Sequence, residues 1–590
     1  MKIKLLLVSC LSVLVSACDP GLPSDGMAAA HSVTVKGYAE PLTASQFDKL
    51  PPLQQYQVAN KLLSTLYKGV SVDEFFDLSA GLGQPRVKDS VNFIQGLRVR
   101  LATDLDPAQK KQLDSIIIGD PDAVDAAGAP APLDAKYDFD DSRPKQMPLA
   151  RIFDYPVSRD AYVQWMALHL TNTILFSPAE EIDSADITDV QNLYRRLDIS
   201  IMSGASVRSI VATHQRSIEN WRRFRSPEDN TREMIEIYLG LFDRDADVPR
   251  AAEACRDLYL TDEASGYKLA YTDFPNDQPQ LVLGSYVLNC NEFYDVIAAH
   301  PLLIPRVTSV LVDYFFDGRS VEDRLKLVES ISASEPQTFE DIFTAILFSR
   351  EYLLNTERPK SFEENFLSAA AKVNWQSRSD IFYGMTTGRG GAGRTELAEM
   401  GWPTMTLKLG RLAGIPLDSL SFANYHKGLR ETLLLDKYHW GESMGLIRPD
   451  GPQPEPPEPP VTDADEQEKA AYREALATYN EEIAAMTPAE KALYDEELAA
   501  WQETMQVYER VDTLSLDDLI DYVFVSIAER RASATERQAL IDIMDEAGHL
   551  ETIDNQRFAL AWRKHELATV VMDYLSRLPE IYYFKRHVQG

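Results

Sequence analysis

The sequence predicts a mainly α-helical protein: a multi-helical body of repeated helical hairpins, with one small β-hairpin and one projecting helical hairpin. Three observations support this fold class. Apolar residues recur at helical spacing over most of the chain. A two-helix unit at 311–358 has looser copies elsewhere, and 266–289 is the one segment that alternates as a strand pair does. With 590 residues, 45% of them hydrophobic, the chain is long enough to bury a large core.

The first 18 residues resemble a bacterial lipoprotein signal peptide. Lys2 and Lys4 precede an apolar run at 5–15, and small residues then lead to Cys18. In such signals residues 1–17 are removed, and the cysteine receives fatty-acyl chains such as palmitate. The alternative is an ordinary secretory signal that happens to contain a cysteine. Because no later segment has 18 uninterrupted apolar residues, we expect a chain anchored to a bacterial membrane through lipid rather than one that spans it.

Composition divides the rest of the chain into five parts. Residues 18–45, rich in Gly, Pro, Ser and Ala, predict a flexible tether, and 46–450 predict a helical core domain. Residues 451–462 form a proline-rich linker. Residues 463–510 carry Ala, Glu and Lys at helical spacing and predict a charged helical hairpin insertion that projects into solvent. Residues 511–590 predict C-terminal helices that pack on the core.

The unit at 311–358 is the best-defined helical pair. Its first helix breaks at 317–319 and restarts at Ser320, and its second helix ends in Ser-Arg-Glu-Tyr from Ser349. Similar segments surround Ser217, inside a helix predicted over 205–224, and Ser576. The three serines suggest a repeated packing or capping device and an internal duplication. The alternative is that helical hairpins resemble one another without common origin.

The strand-like segment lies between two cysteines. Residues 266–289 predict a β-hairpin that turns around Pro275, Asn276 and Asp277, after a helix at 248–260. Export places the chain in an oxidising compartment. With Cys18 assigned to lipid, Cys255 and Cys290 are the two cysteines that remain after residue 18. We therefore expect a disulfide between them, and two buried free thiols are the alternative.

The charge balance excludes one class of partner. The formal net charge is −32, and removal of residues 1–17 makes it more negative by two. So acidic a surface argues against binding nucleic acid or anionic lipid headgroups, and it suits solubility, a marine or saline setting, or a cationic partner.

Common catalytic and metal-binding motifs are missing from the sequence, so we expect no cofactor and no metal. Asp243, Asp245 and Asp247 have calcium-loop spacing but lack the glycine and glutamate that an EF-hand requires. Residues 388–395 have P-loop spacing with Arg394 in place of lysine, which favours a flexible loop that could hold an anion or carboxylate.

The densest cluster of charged residues lies at 221–236. Arg222 and Arg232 could bind an anionic ligand, with Glu233 or Glu236 as acid or base and Trp402 in the same cleft. The alternative is an internal ion-pair network that locks helices together, because both charge signs occur there in near balance.

Several segments resemble the bacterial domain of unknown function 1800 family over about 160–440. They occur in family order and are Asn-Thr-Arg-Glu-Met-Ile-Glu at 230–236, which resembles the family's Asn-x-x-Arg-Glu-x-x-Glu helix with one residue fewer after Asn, the hairpin end at 281–284, His300-Pro301, Ser-Arg-Glu-Tyr at 349–352, and Gly-Trp-Pro at 401–403 followed by Arg411. No single motif is specific, but their order is. The family's usual His-Asp pair is absent from 273–277, so a site built on that histidine is not expected.

The resemblance implies a cell-envelope location and implies no reaction. Members of this family are typically exported, and are often encoded beside an exported protein that resembles sulfatases. We therefore expect an envelope lipoprotein, periplasmic or surface-facing, that binds or positions another exported protein, with such a sulfatase-like protein as a possible companion. The alternative is an enzyme that acts on an exported polymer or an anionic small molecule through the Arg/Glu cleft.

Overall fold

The structure is a computed structural model, and it describes residues 35–78, 82, 94–118, 146–177, 187–263, 266–272, 276–375, 426, 437–460, 464–546, 553–554, 557–558 and 561–586. The predicted signal peptide with Cys18, the P-loop-like segment with Arg394, and Trp402 lie outside these residues.

Most of the described chain is helical, as the sequence predicts. The helices are α1 (Ala44–Phe47), α2 (Pro52–Thr65), α3 (Val72–Phe75), α4 (Ile94–Leu101), α5 (Pro107–Ile118), α6 (Gln146–Asp154), α7 (Arg159–Leu170), α8 (Ile187–Met202), α9 (Val207–Gln215), α10 (Ile218–Arg223), α11 (Pro227–Leu239), α12 (Val248–Ala254), α13 (Cys290–Ala299), α14 (Leu303–Phe315), α15 (Val321–Ser332), α16 (Phe339–Leu347), α17 (Phe362–Lys372), α18 (Lys437–Ser443), α19 (Glu466–Ala485), α20 (Pro488–Asp512), α21 (Leu516–Ala528), α22 (Ala534–Glu546) and α23 (Ala561–Ser576). Short 3₁₀ turns at Gly37–Ala39 and Pro579–Tyr582 and a π-helical turn at Glu351–Asn355 complete the set.

Within the described residues, the strands form four two-stranded antiparallel pairs. They are β1 (Leu258–Glu263) with β2 (Gly266–Tyr271), β3 (Gln280–Val282) with β4 (Ser285–Val287), β5 (Arg358–Pro359) with β8 (Tyr583–Phe584), and β6 (Ile553–Asp554) with β7 (Arg557–Phe558).

The prediction of a single hairpin at 266–289 is wrong, because the segment contributes to two hairpins. The helix expected over 248–260 ends at Ala254, and 258–263 form strand β1 instead. Leu258, Tyr259 and Leu260 alternate like the residues of β2 that they pair with, so strand pairing overrides a helical assignment. Cys255 and Cys290 form a disulfide that joins the end of α12 to the start of α13 and so brackets both hairpins.

The unit around 311–358 has the predicted break and restart. Helix α14 ends at Phe315, and the Ser320 side chain caps α15 by accepting a hydrogen bond from the Asp323 amide at 3.1 Å. Helix α16 is capped by Thr338 and leads into buried Ser349. The side chains of α14, α15 and α16 supply a continuous part of the hydrophobic core.

Ser217 interrupts the helix predicted over 205–224, which is therefore two helices. Helices α9 and α16 each have nine residues. Two positions after the end of each helix, a serine side chain accepts a hydrogen bond from the backbone amide of the third residue after that serine. The distances are 3.3 Å for Ser217 and Asn220, and 3.0 Å for Ser349 and Tyr352. Ser576 instead donates to the Asp573 carbonyl at 2.7 Å, so two of the three serines share the device.

The C-terminal helices pack on the core. Strand β8 pairs with β5, and the Lys360 amide donates to the Tyr582 carbonyl at 2.8 Å. Lys372 on α17 forms an ion pair with Glu529 at the end of α21 at 2.8 Å. Residues 511–586 therefore complete the body that the earlier helices begin.

The segment predicted as a tether over 18–45 is shorter than expected, because residues from Val35 onward are packed. Val35, Ala39 and Leu42 are buried. The Leu42 amide donates to the Phe348 carbonyl at 2.8 Å, and the Arg350 amide donates to the Glu40 carbonyl at 2.9 Å. These apolar side chains and backbone hydrogen bonds attach the segment to the end of α16.

Helices α19 and α20 form the predicted helical hairpin. Thr487 caps α20 with Pro488 as its first residue and Glu490 completing a capping box. No residue of α19 is buried, and its partly buried positions, among them Tyr472, Leu476 and Tyr479, form one stripe at helical spacing. Among the described residues, no single helix combines the length and apolar character needed to cross a membrane.

Candidate functional site

The predicted arginine cluster is engaged in ion pairs. Arg222, on α10, forms an ion pair with Asp189 of α8, and its guanidinium lies 4.6 Å from the centroid of the Tyr267 ring on β2. Its side chain is 11% exposed and that of Asp189 is 7% exposed. This nearly buried pair joins α8, α10 and β2, so Arg222 serves the packing of three elements.

Arg232 has different partners on α11 and in the following loop. Its guanidinium lies 3.2 Å from Asp245 and 3.8 Å from Glu228. Glu233 and Glu236 are partly buried on the same helix. Arg222 and Arg232 therefore point to separate carboxylates, which matches the ion-pair alternative better than a shared anion cleft.

Two further sequence features also have structural roles. Asn230, in the segment that resembles the family motif, is fully buried and accepts a hydrogen bond from the Tyr294 hydroxyl at 2.8 Å. Asp247 accepts from the Leu283 amide at 3.1 Å, which ties the α12 end of the calcium-like loop to the β3–β4 hairpin. In the part of the chain that the structure describes, no group of His, Cys, Asp and Glu side chains could hold a metal ion.

Two surfaces expose features that suit a partner. The α19–α20 hairpin (466–512) carries twelve acidic and four basic residues, so it is strongly anionic. On β3–β4, Leu281 and Tyr286 lie directly opposite each other and are 40% and 75% exposed. The two side chains form an exposed cross-strand apolar pair on a hairpin that the disulfide brackets.

A pocket that the sequence did not indicate lies where the C-terminal segment meets the core. Its polar wall is formed by Lys61 of α2, Lys360 after β5, Glu529 after α21, Glu580 of the 3₁₀ turn and Lys585 after β8. We call it the lysine pocket. It is a small cavity that opens to solvent and has room inside for about one water molecule. Residues separated by more than 500 positions in sequence thus meet in one place.

The lysines of this pocket differ in their partners. Lys61 donates to the Thr356 carbonyl at 2.5 Å and to the Lys585 carbonyl at 3.0 Å. Lys585 donates to the Ala528 carbonyl at 3.3 Å. Lys360 lies 5.2 Å above the Phe584 ring centroid. Burial lowers the pKa of Lys360 to about 7 and also lowers the pKa values of Lys61 and Lys585.

Both carboxylates of the pocket have cations of their own. Glu529 accepts from Lys372 at 2.8 Å, and Glu580 accepts from Arg530 at 2.5 Å. Burial alone would raise the pKa of Glu529, but Lys372 and then Lys360 hold it at about 2. Glu529 also occupies the left-handed position that ends α21, with φ of 55°, where glycine is the usual residue. A glutamate at this position therefore carries a cost in backbone conformational energy.

A sequence signal for this pocket exists in retrospect. Lys61 occupies a position on α2 whose neighbours Val58 and Leu62 are buried. A lysine at a core position of an amphipathic helix is rare, since lysine is almost never fully buried without a partner. Lys360 and Lys585 follow short strands and give no periodic signal, so the cluster emerges only in the folded chain.

Comparisons with known proteins identify no relative of the chain. No protein-family model, no curated protein and no solved structure matches the chain. The resemblance over about 160–440 therefore depends on the order of its motifs alone.

Proposed function

We propose that the chain is a lipid-anchored protein of the bacterial cell envelope that binds or positions another exported protein. The observation that carries this proposal is the α19–α20 hairpin. A 20-residue helix with no buried residue contributes nothing to the core of the protein, and its length and charge suit recognition of a partner. The Cys255–Cys290 disulfide supports an exported location.

The partner's surface follows from charge. The hairpin has an excess of eight acidic residues over basic ones, so a basic surface on the partner complements it. The lipoprotein signal at 1–18 supports attachment to the membrane, and the family resemblance makes an exported sulfatase-like companion a specific partner to test.

The alternative function, an enzyme acting on an exported polymer or an anionic small molecule through the Arg/Glu cleft, has less support. Arg222 and Arg232 already have carboxylate partners. Glu233 and Glu236 would need a substrate held between these arginines, and the arginines serve different elements. We therefore place the enzyme hypothesis second.

The test uses the full chain in membranes of the producing cell. Residues 463–510 are replaced by a short Gly-Ser linker, and a photo-crosslinker is placed at Glu482 near the hairpin tip of the unaltered chain. We expect one dominant exported protein to crosslink at Glu482 and to be lost from the purified complex of the deletion variant. A matched control places the crosslinker at exposed Asp545 on α22. Equal crosslinking at both positions, or unchanged partners after deletion, would refute the proposal.

A further inference from the structure

We propose that the lysine pocket is a binding site for a small singly charged oxyanion, such as a carboxylate, with the Lys360 ammonium as its central donor. This site is independent of the Arg/Glu cluster and of the α19–α20 hairpin. The proposal rests on three features of the pocket: its excess of lysines over carboxylates, the missing acceptor of Lys360, and its size.

The first feature is the charge inside the pocket. Three lysines, Lys61, Lys360 and Lys585, face two carboxylates, Glu529 and Glu580. Glu529 forms an ion pair with Lys372, and Arg530 is shared between Glu580 and Glu536. Among the described residues, the ion pair that a pocket lysine makes with these carboxylates is the long contact of 3.9 Å between Lys585 and Glu580, so the lysines outnumber the carboxylates that face them. In a chain of formal charge −32, such a local excess of positive charge favours the binding of an anion at this place.

The second feature is the lack of an acceptor for Lys360. Other buried lysines reach oxygen atoms: Lys68 donates to the Phe153 carbonyl at 2.7 Å, and Lys372 reaches Glu529. Lys360 is 7% exposed, and among the described residues its ammonium contacts an aromatic ring but no hydrogen-bond acceptor. A buried ammonium without an acceptor is costly, and an oxyanion in the adjoining cavity would supply that acceptor.

The third feature is the size of the cavity. It is small and opens to solvent on one side. Its interior has room for about one water-sized group, so one oxygen of a carboxylate fits there while the rest of the ion or molecule lies in the mouth. The Phe584 ring and the side chains of Ile527 and Ile581 form its apolar wall and limit the water around the ion.

Proton uptake accompanies binding. Four charged groups act on Lys360: Glu529 after α21, Lys372 and Glu364 on α17, and Lys585 after β8. Lys61 on α2 and Glu580 on the 3₁₀ turn line the same pocket. Burial and the cations Lys372 and Lys585 lower the pKa of Lys360, while Glu529 and Glu364 raise it. An anion beside Lys360 favours its charged form, so binding raises this pKa and is tighter below pH 7 than above it.

The experiment measures the reactivity of Lys360 with and without an anion. The full chain is labelled with trace acetic anhydride, a small neutral reagent, over pH 6–10, and the acetylation of each lysine is quantified by peptide mass spectrometry. Sodium formate is the probe, and it replaces the sodium salt of a bulky morpholine sulfonate at constant ionic strength. Lys326, an exposed lysine that pairs with Glu322 at 2.6 Å, is the control.

We expect the apparent pKa of Lys360 to lie near 7 without formate and to rise by about one unit when formate exceeds its dissociation constant about tenfold. At pH 7 that rise lowers the labelling rate of Lys360 about fivefold, because the unprotonated fraction falls from about one half to about one eleventh. The rate at Lys326 stays constant. A Lys585→Gln variant should raise the pKa of Lys360 without formate, since Lys585 depresses it, and should weaken the response to formate.

Two results would overturn the proposal. One is a formate response of Lys360 no larger than that of Lys326, which would reduce the effect to general screening. The other is an unchanged formate response in Lys585→Gln, which would place the ion away from the pocket. The first result is obtained on the native chain and does not depend on the folding of a variant; for Lys585→Gln, circular dichroism identical to that of the native chain is the folding control.

Discussion

Removal of one charge from the buried Arg358–Glu364 pair should destabilise the protein strongly. The two side chains are each 2% exposed and meet through two hydrogen bonds of 2.8 and 2.6 Å. The guanidinium also lies 4.8 Å from the Tyr314 ring centroid and 4.7 Å from that of Phe584. Glu364→Gln keeps the shape of the side chain but leaves Arg358 charged and unpaired between these aromatic rings. This costs about 3–5 kcal/mol of the free energy of unfolding.

The chain offers a matched control for this substitution. Glu364 is also the third residue of α17 and completes a capping box with Ser361, and Glu490 has the same place in α20 with Thr487. Glutamine can also serve in a capping box. Glu364→Gln and Glu490→Gln should therefore have the same effect on the N-terminal cap of their helices. Glu490 is exposed and has no buried arginine, so its variant should leave the unfolding midpoint unchanged.

Equilibrium urea unfolding, followed by tryptophan fluorescence and by circular dichroism, measures both variants. A third variant, Arg358→Met with Glu364→Leu, removes the pair together and should recover most of the lost stability, because no unpaired charge remains buried. A cost below about 1 kcal/mol for Glu364→Gln, or a double variant as unstable as the single one, would refute the argument that charge burial dominates here.

Three further predictions use the same unfolding assay. Ser349→Ala should cost about 1–2 kcal/mol, because it removes a buried cap whose hydroxyl both donates and accepts; an unchanged midpoint would contradict this role. Hydrogen bonds from Arg530 lower the pKa of Glu536 from 4.5 to about 2. That stabilisation is present above pH 4.5 and is lost as pH falls towards 2, so Glu536→Gln should flatten the stability profile across this window. Replacing Cys255 and Cys290 by serine opens a loop of 35 residues and should cost about 3–4 kcal/mol, with reduction of the native chain as the check.

Local signals in the sequence predict much of the fold. Helix starts at Ser320 and Thr487 follow from side chains that satisfy free amides, and this effect needs no tertiary contact. The hairpin at 466–512 follows likewise from composition and capping. The mainly helical class, the disulfide partners and the break at 317–319 all depend on such short-range chemistry.

Prediction from sequence is weaker where distant residues decide the structure. Strand β1 forms because Leu258 to Glu263 pair with β2, while the same residues fit the end of a helix equally well. Val35 and Leu42 lie in a segment of tether-like composition, yet both are buried. The Phe348 carbonyl after α16 accepts a hydrogen bond from the Leu42 amide, and Ser330 of α15 bonds the backbone of Lys36 and Ala39. Arg222 resembled a ligand-binding residue because its partner Asp189 lies 33 positions earlier.

The lysine pocket shows why such a site escapes sequence patterns and what its construction implies. Lys61 and Lys360 belong to the core, but Lys585 arrives only when β8 pairs with β5. The same segment also brings Glu580, which lies 3.9 Å from Lys585, so its docking adds one charge of each sign to the pocket. Charges of both signs from four separate parts of the chain meet only in the folded protein, and no single stretch of sequence carries that information.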